Sequence, residues 1–205
     1  MRGLYALTSG LTETRVLASK VRAALAGGAS AIQYRNKEAG AALRLEQAMA
    51  LRDISAGVPL IINDDVELAA AVAADGVHLG RDDAGVAAAR ARLGRRALIG
   101  VSCYDSLERA QAAVDAGADY IAFGSFYGSR VKPDAVRAPR SLLSEAKRRW
   151  RVAVVAIGGI TPDNAPLLLA AGADAIAVIS ALFDADDVEA AARCFSRMFD
   201  PAPAR

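Results

Sequence analysis

The chain has 205 residues, of which 54% are hydrophobic and only 5% aromatic, enough for one sizeable core of small and branched aliphatic side chains. Its 25 basic and 23 acidic residues leave a formal charge of +2, too even a balance for the basic face that nucleic acid or an anionic membrane requires. No apolar run reaches membrane-spanning length without a charge or a Gly-rich turn. The opening MRGLYALTSG reads as a first strand rather than a signal peptide. Cys103 and Cys194 lack metal-ligand spacing, and a core of this size needs no disulfide staple. A cytoplasmic protein with reduced thiols is expected.

In chain order, the strand-like runs are residues 3–8, 26–35, 59–64, 73–81, 97–102, 116–125, 152–159 and 171–180. Every second run repeats one pattern: AGGASAIQYR, AADGVHLGR, AGADYIAFGS and AGADAIAVIS. Each copy is an Ala/Gly helix end, a small or acidic turn residue, then a short apolar run that buries as a strand. Ala-rich helical segments follow the runs, for example residues 12–26, 39–56, 105–116 and 162–170, with a last helix over 186–199. Thr161-Pro162 reads as an N-cap followed by Pro at the first helical position.

Eight strands alternating with eight helices, at about 25 residues per unit, predict a single-domain α/β fold spanning residues 1–205, a (β/α)8 TIM barrel. A short disordered tail is expected from about residue 200. An open doubly wound sheet is the main rival. Recurrence through the whole chain favours closure, because a barrel gives its units equivalent places. One connection is long, residues 124–139, and loops of that length in compact domains are often functional.

Barrel chemistry sits where strands end and βα loops begin. Those ends are polar here: Gln33, Arg35 and Lys37 after strand two, Asn63-Asp64-Asp65 after strand three, and Arg81-Asp82-Asp83 after strand four. Strand five ends at Ser102, and the loop after strand six holds Ser129, Arg130 and Lys132. Gln33, Arg35 and Lys37 share one face if the strand continues through them.

Each residue alone has a plainer reading. Arg35 could lie on the surface, and Asp64 or Asp83 could cap the next helix, the commonest task for such an Asp. Together they converge on one mouth, which core packing does not require, and buried unpaired charges need ligands. Mg²⁺ is usually held by one or two carboxylates plus substrate phosphates. Asp64 and Asp83 beside Arg35, Lys37 and Lys132 therefore suit a metal-bound diphosphate. Gly158 and Gly159 after strand seven, with Ser180 after strand eight, mark a second anion site built from backbone N–H groups.

The motifs QYRNK, NDD, GVHLGRDD, GVS, the 124–132 loop, AIGGI and VIS, in this order, resemble the thiamine-phosphate synthase family over nearly the whole chain. The resemblance implies two small phosphorylated substrates, hydroxymethylpyrimidine diphosphate and hydroxyethylthiazole phosphate, with Mg²⁺ as cofactor. It implies diphosphate contacts from Arg35, Lys37, Asn63 and Lys132, and pyrimidine contacts from Gln33. Asp64 and Asp83 would ligate Mg²⁺, with Ser102 nearby on the pyrimidine diphosphate. Gly158, Gly159, Ile179 and Ser180 would bind the thiazole phosphate. Arg35, Lys37, Lys132 and Ser102 would carry the catalytic work, and a homo-oligomer is compatible with all of this.

The family's loop after strand six usually reads like GPIFPTxTK, whereas residues 124–132 read GSFYGSRVK. Ser129 can replace the first Thr hydroxyl, Val131 cannot replace the second, and Lys132 is kept. Altered thiazole-side or closure contacts with the reaction retained are expected. His78, the single histidine, reads as a structural hydrogen-bonding residue. Two other readings stand beside the synthase: a related thiazole tautomerase, which would need a histidine base, and a non-catalytic phosphate binder.

Overall fold

A computed structural model of the chain describes residues 1–55, 57–81, 83–128 and 136–200. Eight parallel strands close into a barrel in sequence order. They are β1 (Gly3–Leu7), β2 (Ala31–Tyr34), β3 (Leu60–Asn63), β4 (Gly76–Leu79), β5 (Leu98–Tyr104), β6 (Tyr120–Phe123), β7 (Ala153–Ile157) and β8 (Ala175–Val178). Closure is made by β1 pairing with β8, Tyr5 lying beside Ala177. The helices between them are α1 (Thr14–Ala26), α2 (Ala41–Ile54), α3 (Val66–Ala71), α4 (Val86–Leu93), α5 (Leu107–Asp115), α6 (Ser141–Arg149) and α7 (Ala165–Ala170). After β8 come α8 (Ser180–Phe183) and α9 (Val188–Ser196). None of these helices is long and apolar enough to cross a membrane.

The sequence repeat has a physical cause at the N-terminal face of the barrel. Asp75, Asp119 and Asp174 each accept a hydrogen bond from the first N–H groups of the neighbouring strand, at Leu60, Ile99 and Val154 (2.9, 2.8 and 2.8 Å). Each also pairs with a cation from the helix before that strand: Arg52 on α2, Arg90 on α4 and Lys147 on α6. In the first copy Ser30 replaces the acid and donates to the Leu4 carbonyl at 3.0 Å. The carboxylate therefore satisfies a strand-end donor that a barrel edge would leave open, once in every second unit.

The barrel divides its core by strand alternation. Leu4, Ile32, Ile62, Val77, Ile121 and Ile176 face outward into the helix layer. Tyr5, Ile61, Tyr120, Val155 and Ala175 fill the lumen. Burying such side chains contributes roughly 1.5–3 kcal/mol each for the large aliphatics.

Four local expectations change. Strand β2 stops at Tyr34, so Arg35 and Lys37 stand beyond the strand and only Gln33 obeys its alternation. Strand β5 runs past Ser102 to Tyr104, with a register shift between them, so Ser102 is a wall residue. Thr161-Pro162 opens a turn, and α7 starts only at Ala165 with Pro166 in its first turn. The Asn164 side chain ties Thr161 N (2.9 Å) and Gly159 O (3.0 Å) together, which delays the helix. Nine α-helices, not eight, occur among the described residues, because the chain leaving β8 turns at once through α8, burying Leu182 and Phe183 before α9 begins. The tail expected beyond residue 200 lies outside the described residues.

Candidate active site

At the C-terminal ends of β2, β3 and β4 the loops present side chains. Lys37 Nζ lies 2.9 Å from Asp64 Oδ2. Asp64 has a backbone φ of +64°, a left-handed conformation that a short polar residue tolerates. That turn leaves the capping of α3 to Asp65, whose carboxylate accepts from Leu68 N at 2.9 Å. Asp83 does not cap α4 either: the N-cap position is Gly85, without a side-chain bond, and Asp83 accepts from Gly80 N instead. Both acids are thus released from the ordinary structural task and turned to the mouth.

Their carboxylates meet over Gly80. A methyl group placed on Gly80 would sit 2.9 Å from Asp83 Oδ2 and 3.8 Å from Asp64 Oδ1, so only glycine leaves that space open. Burial disfavours the charged form of both acids. In Asp64, hydrogen bonding to Asp83 and Lys37 outweighs burial and holds the carboxyl below its usual range. Asp83 is raised by burial and by the neighbouring Asp64, against the Gly80 N–H and Lys37. Two hard oxygen donors around one cradle, next to an ammonium, fit a Mg²⁺ ion that takes its remaining ligands from water and phosphate. No group of three His, Cys, Asp or Glu suited to a metal occurs among the described residues.

Arg35 is aimed by its backbone. Thr8, fully buried at the end of β1, accepts from Arg35 N (2.8 Å) and donates to Arg35 O (3.1 Å). Next to it, Asn36 Nδ2 donates to Leu11 O and to Gln47 Oε1, each at 3.0 Å, fastening the β2–α2 loop to the β1–α1 loop. Asn63 closes β3 and pairs in register with His78.

The rim at β7 and β8 is built differently. Gly158 and Gly159 have φ of +104° and +62°. Cβ atoms there would lie 2.1 Å from Ser125 Oγ and 2.3 Å from Gly128 O, so the β6–α6 loop rests directly on the two glycines. Tyr127 N donates to Gly158 O at 3.0 Å in the same contact. Ile179 and Ser180 are half-buried at the entry to α8, where the first amides have no partner carbonyl within the helix. Ser129, Val131 and Lys132 lie outside the described residues.

Across the lumen between the rims runs a chain of buried polar groups, in which two tyrosines that the sequence does not single out link Gln33 to His78 and Ser102. Gln33 Nε2 donates to Tyr5 OH (2.7 Å), and Tyr5 OH meets Tyr120 OH (2.9 Å). Tyr120 OH meets His78 Nδ1 (3.1 Å), and His78 Nε2 meets Ser102 Oγ (2.9 Å). The Tyr120 ring stacks on His78 with centroids 5.5 Å apart. It can do so because Gly100, between them on β5, has no side chain: a Cβ there would be 1.9 Å from Tyr120 Cζ. Burial lowers His78 to about 4, against the pull of Asp64, so its imidazole is neutral near pH 7. Tyr5, Thr8, Tyr120 and Asn164 join the site only in three dimensions. The available signal was the pair of phenols in GLYAL and YIAF, strands otherwise apolar.

Comparison with known proteins agrees with this geometry. A family model described as "Thiamine monophosphate synthase" matches residues 4–182. The thiamine-phosphate synthase of Thiobacillus denitrificans is 54% identical over 203 residues, covering 98% of this chain and 96% of that protein. That of Azoarcus sp. is 54% identical over 201 residues, covering 97% and 98%. Among solved structures, thiamine phosphate pyrophosphorylase from Pyrococcus furiosus superposes with a TM-score of 0.86 at 37% identity, covering 96% of this chain and 95% of that one. With a matching family model over most of its length and relatives above half identity, the chain belongs to the thiamine monophosphate synthase family.

Proposed function

We propose that this chain joins hydroxymethylpyrimidine diphosphate to hydroxyethylthiazole phosphate, giving thiamine phosphate and pyrophosphate. The observation that carries the reading is the pairing of two unlike anion rims on one mouth. Lys37, Asp64 and Asp83 meet at one, and the glycines Gly158 and Gly159 lie at the other. One substrate brings a diphosphate and the other a monophosphate, which matches that division.

Arg35, Lys37, Asn63 and Lys132 hold the diphosphate, and Gln33 helps hold the pyrimidine end, with Ser102 nearby on the same substrate. Gly158, Gly159, Ile179 and Ser180 receive the thiazole phosphate, mainly through backbone N–H groups. Asp64 and Asp83 hold Mg²⁺, which when bound neutralises charge on the departing pyrophosphate. The carbon–oxygen bond ionises first, and the thiazole nitrogen attacks the resulting pyrimidine methyl cation. The chain needs no nucleophile for this. Its cations stabilise developing negative charge at fixed positions, an electrostatic task.

The histidine-base alternative is disfavoured by His78, whose two ring nitrogens are both engaged and whose pKa lies well below neutrality. Incubating both substrates with and without Mg²⁺, and following thiamine phosphate and pyrophosphate, tests the proposal. Mg²⁺-dependent formation of both supports it. Thiazole isomerisation alone points to the tautomerase, and binding without turnover to a phosphate binder.

A further inference from the structure

We propose that Tyr5, Tyr120 and His78 form a relay of fixed polarity that couples the Gln33 amide to the Ser102 hydroxyl, so that the two ends read one edge of the pyrimidine as a unit. The proposal rests on the reading above in which Gln33 holds the pyrimidine end of the substrate and Ser102 lies nearby. All three are positioning residues, since each acts through a neighbour.

The polarity follows from counting hydrogens. Gln33 gives an amide hydrogen to Tyr5 OH, so the phenol's lone hydrogen is left for Tyr120 OH. Tyr120, already accepting, sends its own hydrogen to His78 Nδ1. A neutral imidazole that accepts at Nδ1 carries its hydrogen on Nε2 and donates to Ser102 Oγ. Ser102 is then a donor outward, and Gln33 Oε1, with no bond among the described residues, is an acceptor outward.

No link can reverse alone. Tyr5, Gln33 and His78 are buried, and a donor left without a partner there costs about 1–3 kcal/mol. Reversal therefore requires turning the Gln33 amide and all three intermediates together. An aminopyrimidine offers an exocyclic amine donor beside a ring-nitrogen acceptor, the complement of this pair of ends. The oxo analogue presents the opposite pattern along the same edge.

Two measurements test this. His78 is the only histidine, so its ring-nitrogen chemical shifts in the unliganded protein are unambiguous. The Nε2–H tautomer is expected; the Nδ1–H tautomer or an interconverting mixture overturns the relay. Calorimetry then compares the amino pyrimidine diphosphate with its oxo counterpart, without thiazole phosphate so that no product forms. Wild type should prefer the amino form by about a hundredfold or more. Tyr120→Phe, which cuts the relay at its middle, should lower that preference to about tenfold or less. An unchanged ratio in a variant of wild-type melting temperature overturns the proposal, because a purely structural loss weakens both ligands equally. Tyr5→Phe makes the same cut one bond away if Tyr120→Phe fails to fold. The tautomer is read without turnover, so its failure and a failure of the synthase assay are separate results.

Discussion

The two rims of the mouth are built by opposite means. The β2–β4 rim spends side chains: Lys37 on Asp64, Asp83 on the Gly80 amide, with Arg35 held by Thr8. The β7–β8 rim spends backbone, with Gly158 and Gly159 in left-handed conformations and the β6–α6 loop lying where side chains would be. Charged side chains can neutralise a leaving group that gains charge. Backbone amides suit a phosphate that is only gripped and does not react. On the proposed function, the difference between the rims would follow the difference between a reacting and a spectator phosphate.

The sharpest way to break that contrast is on the side-chain rim. Asp83→Ala should lower kcat/KM about a hundred- to a thousandfold at saturating Mg²⁺, the scale of losing a preorganised electrostatic contact. The KM for thiazole phosphate should stay near wild type. Full Mg²⁺-dependent activity in this variant would sink the metal assignment.

On the backbone rim, Gly158→Ala forces a Cβ to 2.7 Å from the Ser125 Cα, so the loop must shift. About a tenfold rise in the thiazole phosphate KM is expected, with a stability loss from the strained φ of about 1–3 kcal/mol that lowers the melting temperature. Equal changes in both KM values would erase the proposed division of labour. Ser180→Ala keeps the amide and should change kcat/KM by less than about threefold, because the contact assigned to it is N–H; a loss comparable to Asp83→Ala would move Ser180 into the side-chain class.

The smallest effect is expected away from both rims. Cys194 is exposed, whereas Cys103 is buried and its thiol is pushed up to about 12, against the pull of Arg109. At pH 8 a thiol reagent should label one cysteine in the native protein and two after unfolding, with activity unaffected by the first. Two rapid labels in the native state would contradict the burial of Cys103.

Legibility in the sequence varied with distance along the chain. The acid in AADG and AGAD could be read as a turn residue because it acts next to its own strand, but its bond to the preceding strand could not. Convergence of Asp64 and Asp83 was anticipated from barrel logic. Whether either capped a helix was not, since Asp65 and Gly85 take those positions for reasons of local backbone geometry. Thr161-Pro162 carried a standard helix-start pattern, yet Asn164 used its amide on Gly159 and moved the helix onward.

The sequence by itself determined the eight-strand alternation, the polar ends of β2–β4 and the glycines after β7, because periodicity, glycine placement and charge are local properties. Only the tertiary structure decided which polar groups touch. Gln33, Tyr5, Tyr120, His78 and Ser102 come from five strands separated by up to 115 residues across one hydrogen bond. Their contact exists because the barrel closes and Gly100 leaves the gap that Tyr120 fills. Such contacts depend on closure and side-chain volume across the lumen, which no local pattern encodes.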